Sequence, residues 1–257
     1  GTWDNTVTGD WSFSAGGRLN DVRGDHSFVG GGEDNDVDGR KSAIVAGYQN
    51  RVPGAFSFLG AGRNNTADNE YSFLGAGHSN VADGLYAFVG AGQSNKVSSE
   101  SAVVVGGYKN SASGVKSFVG AGWYNEAQGE ASFIGGGIFN EATAKDSFVG
   151  AGRECHATGR QSFVGGGNSN YAIGAQSSVA GGKSNYARRT NSFVGGGNLN
   201  LADGARSAVV AGDDNEASED DAFVGAGADN TASGKQSFVA AGLSNAASGS
   251  QSAALGS

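Results

Sequence analysis

The sequence predicts an all-β fold: a parallel β-roll or β-solenoid of 15-residue rungs, each with two short strands and two turns. Three observations predict it. A 15-residue period runs through all 257 residues without insertion or deletion, as "SFLGAGRNNTADNEY" (57–71) and "SFLGAGHSNVADGLY" (72–86) show. All 47 glycines fall in four columns of that period. No helix fits a unit this short that carries three consecutive small residues and a glycine near each end. One such unit cannot bury a face alone, so successive units must stack, and residues 1–257 read as a single repeat domain.

Numbering the repeat from Ser57 and Ser72 as position 1 gives S-F-V-G-G/A-G-x-x-N-x-A-x-G-x-x. Position 6 is Gly from Gly17 to Gly242, and position 11 is Ala or Val from Val7 to Ala247. Position 9 is Asn from Asn5 to Asn245, with one exception, Cys155. The first strand is expected over positions 1–5 ("SFVGA") and the second over positions 8–12 ("SNVAD"). The glycine columns between them supply positive φ and close backbone approach at the turns. In the second strand positions 9 and 11 point inward and positions 8, 10 and 12 outward. Stacked Asn at position 9 forms an amide ladder in the core.

The first strand is apolar on both sides. Position 3 is almost always Val, Ile or Leu, and position 2 holds 12 of the 14 Phe. Positions 2 and 4 exchange volume: Phe nearly always goes with Gly, whereas Ala43 goes with Val45, Val103 with Val105, Ala208 with Val210 and Ala253 with Leu255; Ser178 with Ala180 breaks the exchange and Phe238 with Ala240 weakens it. Residues two apart share a face, so the two fill one space. A thin roll has one inside, so the second apolar face leaves a stripe of Phe outside. The expected remedy is self-association, a cyclic homotrimer with Phe28, Phe58, Phe73, Phe88, Phe118, Phe133, Phe148, Phe163, Phe193, Phe223 and Phe238 at the interface.

The segment "GHSNVADGLYA" (77–87) carries the spacing G-x-x-N-x-A-x-G. It resembles the second half of the head repeat of trimeric autotransporter adhesins, the YadA-like left-handed β-roll, which reads S-V-A-I-G-x-x-A-x-A-x-G-x-N. Here the first strand is one residue longer, and Asn replaces the first Ala of the second. The glycine run is also similar to the G-G-G-x-x-N-x-A-S-G repeats of phage and large-virus fibres. The resemblance implies a left-handed, trimeric, adhesive fibre exposed on a cell or virion surface. It transfers no ligand.

Composition excludes other classes. Glycine far exceeds the ~7% average, but collagen needs Gly at every third residue, and disordered linkers lack the recurring aromatic and β-branched residues. The net charge of −8 argues against nucleic acid and anionic membrane surfaces. No apolar run approaches the ~18 residues of a membrane span. With no Met, the chain reads as a processed product or an excerpt.

Catalysis needs an irregular constellation, and a strict repeat offers few. The three histidines, His26, His78 and His156, lie in different columns, so no metal or other cofactor is expected and the chain reads as non-enzymatic. The acidic stretches "GEDNDVDG" (32–39) and "GDDNEASEDD" (212–221) read as solvated turns. Thr forms no column, against ice binding. In "GRECHATG" (152–159) the thiol of Cys155 should face inward while Glu154 and His156 face outward, so the three cannot act together. The candidate binding residues are outward aromatics on successive rungs: Phe56, Tyr71 and Tyr86 at position 15; Tyr108 and Trp123 at position 7, with Tyr124 and Phe139 at position 8; and Tyr171 and Tyr186 at position 10. They offer surfaces for a host glycan or protein, or they stack on one another and stabilise the roll. A self-assembling extracellular filament subunit is the alternative to a surface fibre segment.

Overall fold

The computed structural model describes residues 4–256. The chain is an all-β parallel β-solenoid of about 17 turns with two strands per turn. It divides into two compact units, Gly1–Ala127 and Gln128–Ser257. In the first unit the second strands of successive rungs pair in parallel from Thr6↔Asp21 to Ser111↔Glu126, and the first strands from Phe13↔Phe28 to Val103↔Phe118. In the second unit the same registers run from Phe133↔Phe148 to Phe238↔Ala253 and from Glu141↔His156 to Thr231↔Ala246. Every partner lies one period away, so each column of the sequence is a physical column.

The strands are shorter than the sequence suggests. They occupy positions 2–3 and 10–11 only, two residues each, as in Phe73–Leu74 and Val81–Ala82. A third parallel ladder of single bridges runs along position 7, as at Tyr48↔Arg63 in the first unit and Ile138↔Arg153 in the second. The reason lies in the turns. Positions 8 and 15 both adopt left-handed backbone, with φ between 52° and 59°, whatever residue stands there; examples are Ser79, Lys109, Tyr71 and Ala131. Each interrupts an extended run, so the rung has three short sides.

Positive φ therefore does not follow the glycine columns as expected. Among them it is confined to position 6, with φ of 85° to 124° from Gly17 to Gly242, apart from Gly256 at position 5 near the chain end. A Cβ at Gly92 would also lie 2.2 Å from the carbonyl oxygen of Gly107 on the next rung. Two independent exclusions make position 6 invariant. Position 13 approaches the next rung as closely but has ordinary φ, and it accepts Asn69, Ser99, Ala144, Arg189 and Glu219.

The core is narrow. Position 3 supplies its bulk, led by Ile44, Leu59, Leu74 and Ile134, and position 11 adds Ala or Val opposite. Asn at position 9 is equally buried, and so is Ser at position 1. Burying an amide is costly unless its hydrogen bonds are made. The Asn65 Nδ2 donates to the Ala61 carbonyl in its own rung at 3.4 Å and to the Gly77 carbonyl in the next at 2.8 Å, while its Oδ1 accepts the backbone N–H of Asn80 at 3.0 Å. Each Asn thus bonds two rungs together. From Ser12 to Ser57 serine does the same on a smaller scale: Ser42 Oγ donates to the Gly54 carbonyl at 2.8 Å and accepts the Ser57 N–H at 3.1 Å.

Candidate interaction surfaces

Position 2 alternates with the buried position 3 and so faces outward. The Phe side chains stand there in stacked ladders. Phe58, Phe73 and Phe88 follow at centroid spacings of 5.4 and 5.0 Å in the first unit. Phe133, Phe148 and Phe163 follow at 4.8 and 5.2 Å in the second, with Phe223 and Phe238 at 5.2 Å. Phe28, Phe58, Phe73, Phe163, Phe193 and Phe238 are 37–40% exposed, and Phe88, Phe118, Phe133, Phe148 and Phe223 are half-buried. Phe13 shares the column at 60% exposure.

The ladder explains the exchange between positions 2 and 4. A Cβ built on Gly60, Gly75 or Gly90 would lie 3.5–3.6 Å from Cε1 of the Phe in the same rung. The ring packs over the glycine at ordinary van der Waals distance and fills the space beside it, while the carbonyl oxygen of the next rung lies 2.2–2.3 Å from the same Cβ. Where Ala43 or Ala208 vacates that space, Val45 or Val210 stands in it, also exposed. The exchange is satisfied within one chain, and the resulting apolar strip remains in water.

The other candidate aromatics form three groups. At position 15, Phe56, Tyr71 and Tyr86 stack at 5.0 Å per step, with interplanar angles of 7° and 20°. The Arg40 guanidinium lies 4.9 Å and the Lys41 ammonium 5.4 Å from the Phe56 ring centroid. At position 10, His156, Tyr171 and Tyr186 stack at 4.6 and 4.7 Å, almost parallel, with Arg188 over Tyr186 at 5.3 Å. His156 Nδ1 lies 3.1 Å from Glu141 Oε2, and burial, then the neighbouring Tyr186, pushes the Tyr171 phenol up. In both stacks the neighbours cover the interior ring faces and leave edges and hydroxyls to solvent.

The third group is different. Tyr108 meets Trp123 at 61° and Tyr124 at 82°, edge to face. Lys109 sits 5.3 Å from the Tyr108 ring and 5.1 Å from the Tyr124 ring, and donates to the Tyr124 hydroxyl at 3.2 Å. That hydrogen bond raises the ammonium and lowers the phenol from their ordinary values. Trp123 is 58% exposed. Phe139, in the second unit, is also exposed. The cations on these rings were not singled out in the sequence. Their signal was present: Lys41 stands one period before Phe56, and Lys109 one period before Tyr124.

The acidic stretch 32–39 is more than solvated turn. The Arg23 guanidinium binds Asp38 at 2.6 Å, Asp36 at 3.2 Å and Asp21, while Arg51 reaches Asp38 at 3.5 Å and Asp36 at 3.7 Å. Desolvation, then the Asp38 charge, pushes the Asp36 carboxyl up. In the second acidic stretch Arg206 grips Asp221 through two hydrogen bonds of 2.6 and 2.9 Å, which lower its carboxyl. No group of three or more His, Cys, Asp or Glu among the described residues is placed to hold a metal.

Cys155 is fully buried in the Asn column, and its own N–H binds Asn140 Oδ1 at 3.0 Å. Its Sγ lies 3.6 Å from the carbonyls of Arg153 and Gly167. Burial pushes the thiol up. Glu154 and His156 face outward on either side, with partners of their own in Ser169 and Glu141. The three residues of "GRECHATG" diverge, and the thiol is a core group.

No family model matches this chain. No curated protein matches it either.

Proposed function

We propose that this chain is a non-enzymatic segment of a surface-exposed fibre, which self-associates along its Phe ladders as a cyclic homotrimer and presents its outer columns as repeated binding surfaces. One observation carries the reading: a recurring strip of half-exposed phenylalanine, packed over glycine, along one outer face of the solenoid. Apolar strips of this extent mark interaction surfaces. The strip follows the period of the solenoid, so the partner that fits it has the same period, and another copy of this chain does. The similarity of G-x-x-N-x-A-x-G to the repeats of trimeric adhesins and viral fibres supports an extracellular or virion setting and a left-handed roll.

Function in such a segment is geometric. A stiff stack holds identical surfaces at fixed spacing, and rotational repetition multiplies weak contacts into avidity. Trp123 and Tyr108 are the residues we assign to contact with a host glycan or protein, because Trp123 is the most exposed of the candidate aromatics. Sedimentation equilibrium and light scattering test the assembly: a defined oligomer at micromolar concentration is expected, and a monomer refutes it. Glycan and host-protein binding compared with Trp123→Ala and Tyr108→Ala variants tests the surface, and unchanged binding removes it.

A further inference from the structure

In the second unit the outward face of the second strand carries uncompensated positive charge. Between Glu154 and Asp203 the sequence holds Arg160, Lys183, Arg188 and Arg189 and no Asp or Glu, in a chain of net charge −8. Arg188 and Arg189 stand at positions 12 and 13, beside the stacked Tyr171 and Tyr186 of position 10, and Arg189 replaces the glycine that most rungs have there. The Arg188 guanidinium lies over the Tyr186 ring at 5.3 Å. Arg188 Nη1 and Arg189 Nε each lie 3.8 Å from the one carboxylate of Asp203, outside hydrogen-bond reach. Among the described residues neither guanidinium donates a side-chain hydrogen bond, and neither phenol hydroxyl has a hydrogen-bond partner. Other arginines are engaged within the chain, as Arg206 is by Asp221 and Arg23 by three aspartates.

Free guanidinium groups beside free phenol hydroxyls fit an anion that also carries hydroxyls. A guanidinium presents paired N–H donors to a carboxylate or sulfate. A phenol donates to a sugar hydroxyl or accepts from one. Other anions fit less well. Single-stranded nucleic acid stacks its bases on ring faces, and here those faces cover one another, His156 on Tyr171 at 4.6 Å and Tyr171 on Tyr186 at 4.7 Å. An acidic peptide that adds a strand needs an unpaired edge, and the second strands here are paired on both sides, Ala172 with Ala157 and with Ala187. An anionic membrane surface calls for a denser cluster of cations than two arginines.

The geometry points to a binding site for an acidic polysaccharide, whose carboxylates or sulfates are held by Arg188 and Arg189 and whose hydroxyls are met by Tyr171 and Tyr186. The tyrosines step 4.7 Å from rung to rung, so a linear chain lying along the column meets a hydroxyl at each step. The site uses neither Trp123 nor the Phe ladders, and it is complete in a single chain. A monomer in sedimentation leaves it standing.

Biolayer interferometry on the full chain at low salt tests it. The probes are heparin, which carries sulfate and carboxylate, and polygalacturonate, which carries carboxylate alone; dextran, polyglutamate and single-stranded DNA are the controls. Binding to an acidic polysaccharide that falls as salt rises is expected. Binding to heparin alone assigns sulfate, and binding to polygalacturonate assigns carboxylate. Arg188→Gln/Arg189→Gln should weaken it about tenfold or more, and Tyr171→Phe/Tyr186→Phe, which removes only the hydroxyls, should weaken it several-fold. Lys145→Gln/Arg153→Gln removes two charges already paired with Glu130 and Glu154 at 2.8 and 3.2 Å, and should change binding little. Circular dichroism checks that each variant keeps the parent fold. No binding to either polysaccharide, equal binding to polyglutamate or DNA, unchanged binding in either site variant, or equal loss in the two charge variants overturns the site.

Discussion

Replacing Cys155 with Asn should stabilise the protein, because it completes a hydrogen-bonded column interrupted at one rung. At Asn140 the side-chain amide donates to Gly136 and Gly152 carbonyls, both at 2.9 Å, and its Oδ1 accepts the next N–H. At Cys155 a single S–H faces two carbonyls at 3.6 Å, the Ala151 carbonyl receives no amide N–H, and the Asn170 N–H meets sulfur. Asn restores two N–H donors and an oxygen acceptor. Each buried hydrogen bond contributes about 0.5–1.5 kcal/mol net, so the gain is about 1–3 kcal/mol. The site accommodates it: a Cβ on Gly152 would lie 2.9 Å from the sulfur, and one on Gly137 lies 2.6 Å from the Asn140 amide in the same position. Equilibrium urea denaturation followed by circular dichroism should show a higher midpoint at unchanged slope. An equal or lower midpoint would refute the claim that these amides bind the rungs together. The pH dependence adds a second readout. Burial raises the folded thiol, so above the ordinary thiol value of 9.0 the unfolded chain ionises first. That contribution to stability is fully present below this pH and is lost above it. The alkaline decline should therefore be smaller in Cys155→Asn.

Three further outcomes follow from the backbone and the outer face. Gly92→Ala combines φ of 104° with a 2.2 Å approach to Gly107, and should cost at least about 2 kcal/mol. Gly84→Ala, in the column that tolerates Ser99, should cost clearly less; equal losses by thermal melting would show that left-handed backbone is not what fixes position 6. Ala131→Gly places glycine at φ 53° and relieves about 1 kcal/mol of left-handed strain, against a similar entropic cost. The net change should lie between zero and a slight gain, and a loss above about 1 kcal/mol would contradict the strain. Phe73→Ser, which copies the natural Ser178 of the same column, should leave circular dichroism unchanged but weaken association by about 2 kcal/mol, for the roughly 40% of a ~200 Å² side chain still exposed. Sedimentation that matches the parent would remove Phe73 from the interface.

Much of this architecture was legible because a strict repeat turns sequence columns into spatial ones. The inward turn of Asn at position 9, the outward Phe and the packing of position 2 over position 4 all follow from alternation along a strand. What alternation could not reveal was where the strands stop. Left-handed backbone at positions 8 and 15 has no sequence signature, since Tyr71, Ala131 and Ser79 adopt it alike. Their geometry is imposed by the parallel ladders on either side, so tertiary context overrides local preference. The serine ladder was missed for a related reason. Ser at position 1 reads only as the first residue of the expected strand, and its burial and its bond to the next rung emerge at Ser42, which donates to Gly54. The Arg23 network escaped because Asp36 and Asp38 lie 13 and 15 residues beyond Arg23 and reach it only through the stacking of rungs.

The asparagine column also restricts how the length of such a chain can change. Removing or duplicating fifteen residues leaves every ladder continuous, with Asn still under Asn and Gly under Gly. Removing fourteen or sixteen shifts every later column by one position, back or forward, which would carry phenylalanine inward and asparagine out. Length in this fold is quantised. A lineage of such proteins can lengthen or shorten by whole rungs at little cost in stability, and the spacing of whatever the outer columns carry changes in the same fixed steps.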